Sequence, residues 1–176
     1  MKTRTFDNPI ALRSVNGISA LRVIVDRVPI LNDAANPNPI ADTPERVADA
    51  LRQFIVATDD TFETERFFTV ILSTRRRIIG IHAGPTGTLD TILVHPREVF
   101  RVAIAANAAA IVVAHIHPSG DPAPSESDIK VTRDLIKAGQ LLKIEVLDHV
   151  ILANPALLTP GARSWASLRE LGYFYV

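Results

Sequence analysis

The chain has 176 residues, 47% hydrophobic and 22% charged, which is the length and balance of one ordinary globular domain able to bury a sizeable core. Nineteen Lys and Arg offset nineteen Asp and Glu, so no global basic field draws it onto nucleic acid, although Arg75, Arg76 and Arg77 form a local cluster. With no cysteine, disulfides, thiolate zinc sites and cysteine nucleophiles are excluded, a reducing cytoplasm is the plainest home, and any metal must be held by His and carboxylate.

The N-terminal Met-Lys-Thr-Arg-Thr-Phe-Asp-Asn-Pro lacks an apolar h-region, and no apolar run reaches the roughly 18–20 residues that span a bilayer. The expectation is a protein neither secreted nor membrane-spanning. Residues 20–31 are rich in β-branched side chains and predict a strand that Pro29 either confines to a sheet edge or ends, and an exposed edge there could pair with a second copy of the chain. Asn36-Pro-Asn-Pro39 is breaker composition, so residues 1–42 read as an N-terminal strand and loop and 43–176 as the main domain.

Thr43-Pro44-Glu45 has the hydroxyl cap and first-turn proline of a helix start, and the helix is expected to run to about Val56. A strand follows from Glu65, with Ile78 to His82 as its hairpin partner and the three arginines as a solvated turn. A further strand is expected at Thr88 to Val94. Val99, Val102, Ala103 and Ala106 make the stripe of a helix over Pro96 to Ala109. Ala110 to Ala114 is the short apolar run of a central strand, delivering His115 and His117 at its end. Ser125 to Leu142 reads as a helix, Ile144 to Ala153 as a strand, and Ser164 to Leu171 as a short final helix before an aromatic tail in which Trp165, Tyr173, Phe174 and Tyr175 pack.

The chemistry concentrates in Ala114-His-Ile-His-Pro-Ser-Gly-Asp-Pro-Ala-Pro-Ser-Glu-Ser-Asp128, an H-x-H-x7-S-x2-D pattern. His115 and His117 stand at i and i+2 of an extended segment, so both side chains point to one side and can converge on one ion. Asp128 supplies an anionic third ligand. Such a set leaves a fourth tetrahedral position for water, the arrangement of catalytic rather than structural zinc. Ser125 with Asp128 also resembles a capping box, and the two roles are compatible, since a helix cap can present the carboxylate rigidly. Ser125 could in addition donate to a reacting oxyanion.

The motif resembles the JAMM signature of JAB/MPN domains, and the chain from about Thr43 to Ala153 is similar to the RadC-like branch of that superfamily. The residues carrying the likeness include Glu65-Arg-Phe, Val94-His-Pro-Arg-Glu-Val-Phe100, Ala108 to Ser125 and Leu141 to Ile151. The resemblance implies an α/β fold of the α+β type, a cytidine-deaminase-like mixed sheet flanked by helices, with Zn2+ as cofactor. It also implies that Glu65 is the general base. Glu63 is its neighbouring rival, and Glu98 suits the dipole of a helix start instead. His95 fits a helix cap and His149 a buried strand histidine bonded to a neighbour, so neither is assigned to the metal. RadC-like chains usually carry Asn between the two histidines; Ile116 stands there, on the side pointing away from the metal.

The leading expectation is a zinc-dependent hydrolase acting on a peptide or isopeptide, with Glu65 and Ser125 catalytic and His115, His117 and Asp128 on the metal. The competing expectations are a DNA-repair or mobile-element accessory that binds nucleic acid, and a scaffold that keeps metal for folding alone. The helix-hairpin-helix region of longer relatives is not evident, which weakens the nucleic-acid expectation.

Overall fold

The structure, a computed structural model, describes residues 39–58, 60–87 and 94–174, and the side chains of residues 85–87 fall outside that description. The strand expected at 20–31 lies outside the described residues, as do Tyr175 and the stretch expected as a strand from Thr88, of which only Val94 is described.

Helix α1 covers Pro44–Ala57: the Thr43 hydroxyl accepts from the Arg46 N–H at 3.3 Å, Pro44 opens the first turn, and Val47, Ala48, Leu51, Phe54 and Ile55 form its buried stripe. Strands β1 (Glu65–Leu72) and β2 (Ile78–Gly87) make the expected antiparallel hairpin, with the turn at Thr74 and Arg75 closed by the Arg76 N–H donating to the Ser73 carbonyl at 2.9 Å. Helix α2 covers Pro96–Ala105. It ends short of the expected Ala109 because Asn107 takes a left-handed conformation, φ 53°, which Asn tolerates better than most residues. Strand β3 is Ala110–His117, helix α3 Glu126–Leu142 and strand β4 Glu145–Ala153.

The expected final helix at Ser164 to Leu171 is instead a three-residue strand, β5 (Trp165–Ser167), followed by turns. Trp165, Ala166 and Ser167 pair antiparallel with Leu152, Ile151 and Val150. The buried Asp148 carboxylate then anchors the segment, accepting from the Ser167 hydroxyl at 2.7 Å and the Arg169 N–H at 3.1 Å. Tertiary pairing and a buried acceptor outweigh the local helical tendency of so short a segment.

The sheet order is β2-β1-β3-β4-β5, antiparallel except for the central β3/β4 pair. Such a mixed sheet flanked by helices matches the expected fold class. Alternation divides the core into two layers. Phe68, Val70 and Leu72 of β1, Val112, Ala114 and Ile116 of β3, and Val150 and Leu152 of β4 pack with α1. Phe67, Ile111, Val113 and Val146 pack on the opposite face with Val99, Phe100 and Ala103 of α2 and Leu135 of α3. Period-two alternation therefore commits His115 and His117 to the α2/α3 face and Ile116 to the α1 layer.

One irregularity matters for the site. The β3/β4 register shifts between the pairs Ile111/Val146 and Val112/Asp148, so β4 carries one extra residue there. This bulge lets Val146 and His149, three residues apart, both face α3. The α3-to-β4 turn is also tight: a Cβ on Gly139 would lie 2.5 Å from the Ile144 carbonyl oxygen, a clash only glycine avoids.

Candidate metal centre

Strand β3 carries His115 and His117 to its C-terminal end, and the Pro118-to-Pro124 loop returns the chain to the start of α3. That loop bends at Gly120, φ 82°, where a Cβ would lie 2.8 Å from the Leu157 Cβ. It is pinned to the sheet end by the Asn154 N–H donating to the His117 carbonyl at 3.2 Å. Ser125 caps α3 in a complete capping box: its hydroxyl accepts from the Asp128 N–H, and the Asp128 carboxylate accepts from the Ser125 N–H at 2.7 Å and hydroxyl at 2.6 Å. The cap thus fixes Asp128 so that its carboxylate faces the two imidazoles.

The three groups converge. His115 Nε2 lies 2.8 Å from His117 Nε2, and the Asp128 carboxylate oxygens lie 3.1 Å from the former and 3.5 Å from the latter. One ligand atom from each of the three lies within 4.8 Å of the others, so the group could hold a metal ion. His117 Nδ1 stands 2.9 Å from the Asp121 carbonyl oxygen. A carbonyl only accepts, so Nδ1 carries the proton, and when the ring is neutral its Nε2 lone pair faces the cluster.

Electrostatics couples the members. Burial pushes the Asp128 carboxyl up, but hydrogen bonds from His115 and His117, the His115 charge and the Ser125 bond hold it well below the ordinary carboxylate range. Burial lowers the His117 pKa, yet its bonds to Asp128 and the Asp121 carbonyl, with the charges of Asp128 and Glu65, leave it raised. Burial foremost, then the His115 charge, keeps His149 well below the usual imidazole value.

Glu65 opens β1, half-buried, two residues before Phe67, which pairs across with His115 and stacks on its ring at 6.4 Å. The β1/β3 pairing stops at Phe67, two residues after Glu65, and the Glu65 charge still reaches the His117 ring. Glu63 precedes the strand and is exposed, while Glu98 pairs with Arg97 and Arg101 on the first turn of α2. His95 caps α2, its Nδ1 accepting from the Arg97 N–H at 3.2 Å. The Ser125 hydroxyl touches Asp128 and Ser127.

Three contacts lay beyond sequence reading. His149 Nε2 sits 2.8 Å from His115 Nδ1, and His149 Nδ1 sits 2.6 Å from the Thr132 hydroxyl, which donates to the Asp128 carbonyl at 2.6 Å. The only available signal was that Thr132 follows Asp128 by four residues and so shares its helix face. That His149 meets His115 depends on the β4 bulge, which no spacing announces.

The described residues form a five-stranded mixed sheet flanked by three helices, with a His-x-His strand end facing a helix-borne aspartate, which is consistent with a JAB/MPN fold. A family model described as RadC-like JAB domain matches residues 41–172, and the chain belongs to that family. Among curated proteins it is 43% identical over 123 residues to UPF0758 protein tlr1707 of Thermosynechococcus vestitus, covering 69% of this chain and 46% of that protein. It is 52% identical over 92 residues to a UPF0758 protein of Moorella thermoacetica, covering 52% of this chain and 40% of that one. It is 42% identical over 134 residues to a UPF0758 protein of Desulfitobacterium hafniense, 76% of this chain and 54% of that protein. The chain therefore spans about half the length of the curated relatives it matches. Among the described residues, no helix is long and apolar enough to cross a membrane.

Proposed function

We propose that this domain is a zinc-dependent hydrolase that cleaves an amide bond of a peptide or isopeptide. The observation that carries the proposal is the convergence of His115 Nε2, His117 Nε2 and the Asp128 carboxylate, with the far nitrogen of His117 already committed to a carbonyl. Two imidazole nitrogens and one carboxylate oxygen suit zinc in both number and chemistry, and they leave one tetrahedral position open. When bound there, zinc would acidify a water and polarise the scissile carbonyl.

In this reading His115, His117 and Asp128 hold the ion, and the capping box keeps Asp128 from swinging away. Glu65 accepts the proton of the attacking water and returns it to the leaving amine, a role for which its electrostatic reach to His117 is suited. Ser125 donates its hydroxyl to the developing oxyanion, which requires that the hydroxyl turn from Asp128 during the reaction.

The test is metal analysis of the purified chain after incubation with zinc, alongside a His117→Ala variant and hydrolysis assays on peptide and isopeptide substrates. One zinc per chain in the parent, lost in the variant, with amide cleavage that disappears on chelation, is the expected result. A parent that takes up no zinc overturns the proposal; zinc bound without hydrolysis points to a metal-stabilised scaffold instead.

A further inference from the structure

Resting on that metal reading, we infer that Thr132 and His149 are positioning residues: a one-way hydrogen-bond relay from the Asp128 carbonyl through them to His115 fixes the His115 tautomer that can bind metal. The direction follows from proton counting. The Asp128 main-chain carbonyl can only accept, and the Thr132 hydroxyl has one proton, directed to that carbonyl at 2.6 Å. The same hydroxyl oxygen lies 2.6 Å from His149 Nδ1, so there the ring nitrogen must be the donor.

His149 is 1% exposed, and its two ring nitrogens are occupied by a hydroxyl and another imidazole, so a charge on it would be buried without a carboxylate against it. The ring is neutral, and with its proton on Nδ1 it presents a lone pair at Nε2. That lone pair accepts, at 2.8 Å, from His115 Nδ1–H. A neutral His115 is then left with an unprotonated Nε2, the atom facing His117 and Asp128.

The relay closes a loop in the structure. It starts on the backbone of one proposed ligand, Asp128, and ends on the ring of another, His115, so α3, β4 and β3 are tied together through the two side chains between them. Phe67, stacked on His115 and edge-on to His149 at 5.8 Å, holds both rings in orientation from the β1 side. Fixing ring tautomer and orientation from behind typically changes metal affinity by about 10- to 100-fold.

Two measurements on the full chain test this. Long-range proton–nitrogen NMR of the metal-free protein should show His149 as the Nδ1–H tautomer; a His149 ring protonated mainly at Nε2 overturns the relay. Zinc affinity by chelator competition should fall about 10- to 100-fold in Thr132→Val, which keeps the shape but not the hydroxyl, and stay near the parent value in Thr132→Ser. Thr132→Val binding zinc as tightly as the parent also overturns it. Melting of the metal-free variants separates loss of fold from loss of affinity, and if Thr132→Val does not fold the His149 tautomer decides. A parent that binds no zinc rejects the metal centre itself, while its His149 tautomer still judges the relay.

Discussion

At the scale of single residues, the proposed roles of Glu65 and Ser125 separate cleanly. Glu65 stands on β1, away from the cap that fixes Asp128, so Glu65→Gln should retain zinc at the parent stoichiometry while turnover falls about 10²- to 10⁴-fold, measured by metal content and hydrolysis on one preparation. Ser125 has two roles, because it also caps α3. Ser125→Ala should lose about 1 kcal/mol of stability with the cap and about 10²- to 10³-fold in rate with the oxyanion donor. Ser125→Asn, another capping residue, should restore the melting temperature without restoring the rate. Three of the clustered groups could be read in the sequence because the H-x-H spacing and the cap are local patterns. Glu65 could not: it is 50 positions from His115, and only the family resemblance and then the β1/β3 register bring it near. Thr132 was invisible because a helix-face threonine has no distinguishing mark until its partner is known.

At the scale of elements, Asp148 shows how a short strand is held. Burial raises its pKa above the ordinary carboxylate range, despite bonds from Ser167, Arg169 and His149 that favour the charged form. A carboxyl with a raised folded-state pKa binds its proton more tightly when folded, so its ionisation opposes folding as pH rises from the ordinary carboxylate range through the raised value. Asp148→Asn can keep its oxygen on the His149 and Arg169 N–H groups and offer its amide to Ser167, without the charge. It should melt at or above the parent near neutral pH, with the difference shrinking in acid. Asp148→Ala orphans those donors and should cost at least about 1–3 kcal/mol at every pH, read by thermal melts. The long elements were legible because α1, β1, β3, α3 and β4 each carry a strong period and a recognisable start. β5 was not, because three residues hold too little pattern and its pairing comes from β4 and Asp148 rather than from itself.

At the scale of the whole molecule, ligand linkage makes the metal proposal measurable without a substrate. Free zinc at about a hundred times its dissociation constant stabilises a chain that binds it only when folded by about 2.7 kcal/mol, so the melting temperature should rise by roughly 5–10 °C and return on chelation. His117→Ala should melt at the same temperature with and without zinc. The equal count of acidic and basic residues carries a separate expectation: fluorescence anisotropy should find weak DNA binding, and the binding of a dedicated nucleic-acid protein, steeply weakened by salt, should not be seen. The extra residue in β4 gives the whole arrangement a counting rule. Side chains alternate along a regular strand, yet Leu147 and Val150, three residues apart, both lie in the α1 layer, so Leu147 is the residue by which β4 exceeds strict alternation. Deleting Leu147 would restore strict alternation and leave Asp148, His149 and Val150 on their present β3 partners Val112, Val113 and Ala114. Deleting Asp148 as well would put His149 next to Val146 and turn it toward the α1 layer, so the stretch before His149 can give up one residue but not two, and a deletion of one should harm the site less than a deletion of two.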